Sequence, residues 1–104
     1  PQQAVVVNIT DKQKDYAGDV VATLKSQGLR VATDLRNEKV GFKIREAELS
    51  KIPYVLVVGE KEREASTVSV RGRHGLDLGV MSIADFDAHL QTEVANKSVV
   101  KKTA

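Results

Sequence analysis

Two short aliphatic runs, Ala4-Val5-Val6-Val7-Asn8-Ile9 and Tyr54-Val55-Leu56-Val57-Val58, constrain this chain more than any other feature. Neither alternates apolar with polar residues. Each therefore predicts a strand buried on both faces, as in a parallel sheet with helices packed above and below. Both are far too short to cross a bilayer. No charged-then-apolar leader precedes the first run, so the chain reads as cytosolic and the sequons at Asn8 and Asn96 are without consequence.

The remaining elements follow from periodicity and punctuation. Thr10 with Gln13 three residues later is the reciprocal capping pattern. Tyr16, Val20 and Leu24, beside Ala17 and Val21, then form the apolar stripe of a first helix, which Gly28 stops. Leu29 to Leu35 alternates weakly and predicts a second strand. A second helix is expected from about Glu38 to Lys51, capped by Asn37 and ended by Pro53. Its apolar residues split into Val40/Ile44/Ala47 and Phe42/Leu49, and Gly41 weakens its start. Phe42 is expected to pack against the sheet, with stacking on a splayed base as the alternative.

Glu60–Glu64 followed by the alternating Thr67-Val68-Ser69-Val70-Arg71 predicts a hairpin turning at Ala65-Ser66. Such a turn would set Glu62 opposite Ser69 and Glu60 opposite Arg71. His74-Gly75 marks another reversal before Leu76, Leu78, Val80 and Met81. Ser82, with Asp85 three residues on, opens a last helix carrying Ile83, Phe86, Leu90 and Val94. Residues 97–104 lack an apolar period and predict a flexible tail. Helical crossovers join parallel strands and tight turns join antiparallel ones. The expectation is therefore an α/β fold: a five-stranded mixed sheet, its fourth strand antiparallel, flanked by three helices. Residues 1–104 form one domain with an ordered core of about 4–96.

Catalytic chemistry is poorly supplied. The chain has no cysteine, and His74 and His89 have no partner at metal-binding spacing. No phosphate loop, dinucleotide fingerprint or nucleophile elbow is present. Charge is more informative. The net charge is +2, yet residues 36–73 hold nine Lys/Arg against six Asp/Glu, while residues 74–96 hold four acids and no Lys or Arg. A basic middle fits a local anionic partner, or simply a solvated surface.

The stretch Asp34-Leu35-Arg36-Asn37-Glu38-Lys39-Val40-Gly41-Phe42-Lys43-Ile44-Arg45-Glu46 follows the carboxyl end of a strand. In open α/β sheets ligands gather on that side. Asn37 is either a helix cap or an amide offering donor and acceptor to a base edge. Lys39 and Lys43, four apart, share a helix face that suits a phosphate backbone or plain solvent. Arg71 offers a planar fork to guanine or phosphate, and Glu62 could accept hydrogen bonds from base amino groups. The alternative for this second pair of residues is a surface ion-pair cluster, worth about 0–1 kcal/mol. With only two Tyr and two Phe, a stacking platform for unspecific single strands is not expected; reading a few bases in a loop is.

Asn8-Ile9-Thr10-Asp11, the thirteen-residue stretch above, Ile52-Pro53-Tyr54 and Asp77-Leu78-Gly79 together resemble the carboxy-terminal anticodon-binding domain of bacterial threonyl-tRNA synthetases, over nearly all of residues 4–96. Class II synthetases for histidine, proline and glycine share that fold. The resemblance implies a five-stranded mixed sheet between helices and a domain that grips the anticodon loop of threonine tRNA. It carries anticodon contacts onto Asn37, Glu62 and Arg71. A further basic contact falls on Lys51, where the family commonly has arginine; lysine keeps the charge and loses the fork. Arg36, Lys39, Lys43 and Arg73 are expected backbone contacts on charge grounds. The family's zinc, ATP and magnesium belong to a separate catalytic domain, so no cofactor and no catalytic residue is expected here. Pro1 as first residue reads as a cut after that domain. Expected partners are the tRNA and the parent synthetase, which is homodimeric, although the fragment alone need not be. The competing expectation is a protein-interaction domain of the same fold that does not bind RNA. An anticodon hairpin titrated against amide chemical shifts near Asn37 separates the two.

Overall fold

Both aliphatic runs lie inside the sheet except for Ile9, which follows the first strand and is half exposed. A computed structural model describes residues 2–72 and 76–103, with side chains described as far as residue 93. Its elements are β1 (Ala4–Asn8), a 3-10 turn (Asp11–Gln13), α1 (Lys14–Ser26), β2 (Val31–Asp34), α2 (Val40–Leu49), β3 (Tyr54–Val58), α3 (Glu60–Ala65), β4 (Thr67–Arg71), β5 (Asp77–Ser82) and α4 (Ile83–Thr103). The strand order is β2-β1-β3-β4-β5. β1 pairs in parallel with β2 and β3, and β4 is antiparallel to both β3 and β5. β5 therefore runs with the first three strands, as connection lengths predict.

Alternate side chains build two cores. On one face Val6, Leu56, Val58, Val68 and Val70 meet Val20 and Leu24 of α1 and Phe86 and Leu90 of α4. On the other, Val5, Val7, Val55 and Val57 lie against Val40, Ile44 and Ala47 of α2. Because both faces are covered there, every residue of β1 and β3 is buried. The local signals hold. Thr10 Oγ1 accepts from the Lys12 amide at 3.3 Å and the Thr10 amide donates to Gln13 Oε1 at 2.8 Å, although the turn they open is 3-10 before it becomes α1. Gly28 takes φ 86°, the left-handed stop, and Ser82 Oγ accepts from the Asp85 amide at 3.0 Å. No helix among the described residues is long and apolar enough to cross a membrane.

Three expectations are corrected. The hairpin strand at 60–64 is a helix, α3, so the described residues hold four α-helices rather than the expected three. Glu, Lys, Arg and Ala are strong helix formers and nothing there is β-branched. Glu62 Oε1 reaches back to accept from the Gly59 amide at 2.8 Å, and Ser66 at φ 57° closes the turn. The supposed Glu60–Arg71 and Glu62–Ser69 pairs do not exist: Arg71 pairs with Val55 and Ser69 with Val57. Second, α2 starts at Val40 with Lys39, not Asn37, in the cap position. Third, α2 stops before Pro53 can act. The Lys51 amide donates to Glu48 O and the Ile52 amide to Ala47 O, both at 3.0 Å, the paired bonds of a Schellman end with Lys51 at φ 62°. α4 extends from Ile83 to Thr103.

A lysine at the left-handed position is strained relative to glycine. Lys51→Gly is expected to raise the unfolding free energy by about 0.5–1 kcal/mol, measured by urea denaturation. A loss of stability would show that the lysine stem packs to a degree that outweighs its backbone strain.

Candidate nucleic-acid interface

α2 organises the candidate interface because it leaves half of one sheet face bare. It covers β1 and β3, and its flank turned to β2 carries Lys43, Glu46 and Ser50 around a cleft of about 430 Å³. At 100° per residue, Gly41, Arg45 and Glu48 fall on the opposite flank, toward β4. Register carries the α2 face across the sheet: Asp34 aligns with Val7, Val57 and Ser69, and Ala32 with Val5, Val55 and Arg71. Ser69 and Arg71 therefore stand on the α2 side of the sheet. Val80, opposite Ser69 on β5, is 61% exposed, so among the described residues no helix covers this part.

The residues singled out by sequence divide into free and committed groups. Asn37 lies at the tip of the β2–α2 loop, exposed, its carboxamide making no hydrogen bond among the described residues. Lys39, Arg45, Lys51 and Arg71 are likewise exposed and form no ion pair among the described residues. Asn37 and Lys51 flank the two ends of α2, whose ten residues span about 15 Å. Arg71 on β4 is three strand spacings from β2, about 14 Å across the face. Asn37, Lys51 and Arg71 thus share one side of the molecule. Glu62 does not join them there: it lies beyond the carboxyl end of β3, capping α3, close enough to Tyr16 of α1 to help burial push that phenol up. Arg73 and His74 lie outside the described residues.

Two expected backbone contacts are engaged inside the molecule. Lys43 is 2% exposed, and its ammonium donates to Asn8 O at 3.1 Å and Asn8 Oδ1 at 2.9 Å. It faces the end of β1 rather than solvent because position 43 falls on the inner, β2-facing flank of α2. Burial pulls its pKa down, with the nearby Asp34 carboxylate opposing. Arg36 is spent on carboxylates: Nε and Nη2 donate to Asp34 at 2.8 and 2.7 Å, and Nη2 also to Glu46. Those bonds push the guanidinium up and, chiefly through Arg36, hold Asp34 below the usual carboxylate range.

Phe42 is also corrected. It is 44% exposed, with the Arg36 guanidinium 5.5 Å from its ring centroid, because Val40, Ile44 and Ala47 occupy the sheet-facing side of α2. Arg45 was not singled out by sequence reasoning. The signal was its helical spacing from Gly41 and Glu48, which becomes readable once the β2-facing side of α2 is known.

Chemically, the arrangement offers cations to phosphates and one free carboxamide and one free guanidinium to base edges. The model of the family described as an anticodon binding domain matches residues 3–93. The chain is 58% identical over 97 residues to a threonine–tRNA ligase of Psychrobacter arcticus, covering 93% of this chain and 15% of that protein. It is 60% identical over 99 residues to the threonine–tRNA ligase of Symbiobacterium thermophilum, covering 95% and 15%. Among solved structures, the RNA binding domain of threonyl-tRNA synthetase from Cryptosporidium parvum superposes with a TM-score of 0.84 at 29% identity, over 88% of this chain and 23% of that one. Histidyl-tRNA synthetase from Nostoc superposes at 0.83 with 24% identity, over 90% and 23%, a likeness of fold. The chain spans about 15% of the length of the curated relatives it matches.

Proposed function

We propose, since the chain belongs to the anticodon-binding-domain family, that it grips the anticodon loop of a threonine tRNA as one part of a longer threonine–tRNA ligase. The observation that carries this reading is the ring of unpaired Asn37, Lys39, Arg45, Lys51 and Arg71 around α2 and the bare β4–β5 face. Lys39, Arg45 and Lys51 supply charge to the loop backbone, where contacts position without reading sequence. Asn37 and Arg71 read base edges, the amide through its donor–acceptor pair and the guanidinium through its fork. Glu62 stands apart from that ring, with Oε1 on the Gly59 amide, so its part is narrower: Oε2 accepts from a base donor where the loop extends past the carboxyl end of β3.

Activation and transfer of threonine, with the zinc, ATP and magnesium they require, belong to the remainder of that longer protein, and this domain carries no catalytic residue and no cofactor. The domain acts in the cytoplasm. By itself it is monomeric, and the parent ligase is a homodimer.

Binding of the 104-residue chain to an RNA hairpin bearing a threonine anticodon tests the reading. Asn37→Ala and Arg71→Ala are each expected to weaken it by about 1–3 kcal/mol, and to weaken a hairpin with altered second and third anticodon bases much less. Lys39→Ala is expected to weaken both hairpins alike and to lower the salt slope by about one. Glu62→Gln preserves the α3 cap and isolates the base contact. Equal losses on both hairpins for Asn37 and Arg71 would rule out base reading.

A further inference from the structure

The β2–α2 loop is held from behind by charge. Asp34 ends β2 and Glu46 lies in the second turn of α2; both carboxylates take the Arg36 guanidinium between them. The Asp34 carboxylate also accepts from the Arg36 amide at 3.4 Å, and the Glu38 amide donates to Arg36 O at 2.8 Å across Asn37. The Phe42 ring closes the fourth side, 5.5 Å from the guanidinium carbon. With the buried Lys43 ammonium near Asp34, the two carboxylates and one guanidinium form a cluster close to neutral, in which Arg36 is paired with carboxylates rather than standing as a free cation for a phosphate.

We infer that Arg36 is a positioning residue: it bridges Asp34 and Glu46 so that the loop between them presents Asn37 in one orientation to the base it reads. The inference rests on the proposed function and reassigns Arg36 from phosphate contact to brace. A fork is required, because one planar group must satisfy a carboxylate on a strand and another on a helix. A lysine supplies the charge without that geometry.

The test measures affinity of the 104-residue chain for the threonine hairpin and for the hairpin with altered anticodon bases, across a salt series. Arg36→Ala is expected to cut the preference between the hairpins about tenfold, the scale of one good base contact, with the salt slope unchanged. Arg36→Lys is expected to behave like Arg36→Ala. Glu46→Gln removes a negative charge, yet is expected to lose preference in the same direction, with amide shifts confined to residues 34–39. A salt slope lower by about one with preference intact, rescue by lysine, or a gain in affinity for Glu46→Gln would each overturn the brace. Glu46→Gln keeps the inference testable if an Arg36 variant fails to fold. Absence of any preference in the unaltered chain would instead overturn the proposed function itself, and the brace with it.

Discussion

Asn8→Ala is expected to lower the unfolding free energy by about 2.5–4 kcal/mol at neutral pH. Asn8 is 2% exposed at the end of β1, where its Oδ1 accepts from the Lys43 ammonium and its Nδ2 donates to Thr10 O at 2.7 Å. A hydrogen bond to a buried charge contributes about 1.5–3 kcal/mol and a neutral one about 1 kcal/mol. Alanine removes both and leaves the ammonium with Asn8 O alone. The effect carries a pH signature. Burial already holds the Lys43 pKa below its ordinary 10.5, so between the folded value and 10.5 the unfolded chain binds the proton more tightly and stability rises with pH. Losing an acceptor lowers the folded value further and widens that window downward. Urea denaturation at neutral pH and again near pH 10 should therefore show the deficit of Asn8→Ala shrinking as the solution becomes alkaline. A constant deficit would mean the lost stability comes from the Thr10 turn and not from the ammonium.

Phe86→Ala is expected to cost about 3–5 kcal/mol, a large share of the 5–15 kcal/mol that holds an ordinary domain together. Phe86 is fully buried on α4 and meets Tyr54 edge-on, ring centroids 5.6 Å apart at 79°. It seals the core that α1, α4 and the sheet share, far from the proposed RNA surface on the opposite face. Phe86→Leu, which keeps most of the volume, should cost less than about 1.5 kcal/mol. Thermal and urea unfolding of the two variants check the pair. A loss below about 1 kcal/mol for alanine would show that neighbouring side chains collapse into the space. At temperatures where the alanine variant remains folded, its hairpin preference should be unchanged.

The architecture was legible because its determinants are local or nearly so. Unalternating runs identified two of the three inner strands, β1 and β3, connection lengths set strand direction, and Thr10, Gly28 and Ser82 punctuated the helices as expected. Residues 60–64 misled because a segment of five after a buried strand fits a hairpin by spacing and a helix by composition. The Gly59–Glu62 contact that settles it is a single backbone-to-side-chain bond. The two apolar groups of α2 were both visible, but not which one faces inward.

The site was legible as a stretch and not as a set of roles. Lys39 and Lys43 are alike in sequence, yet one is solvent-facing and the other is held by Asn8, thirty-five residues away. Arg36 and Arg71 are alike in charge, yet only Arg71 is free, because Glu46 and Asp34 close on Arg36. Periodicity and connection length act within a few residues along the chain, which is why the sequence alone determined sheet, strand direction and core. Which charges are spent inside the molecule and which remain for a partner depends on meetings between distant segments, and only the tertiary structure decides those.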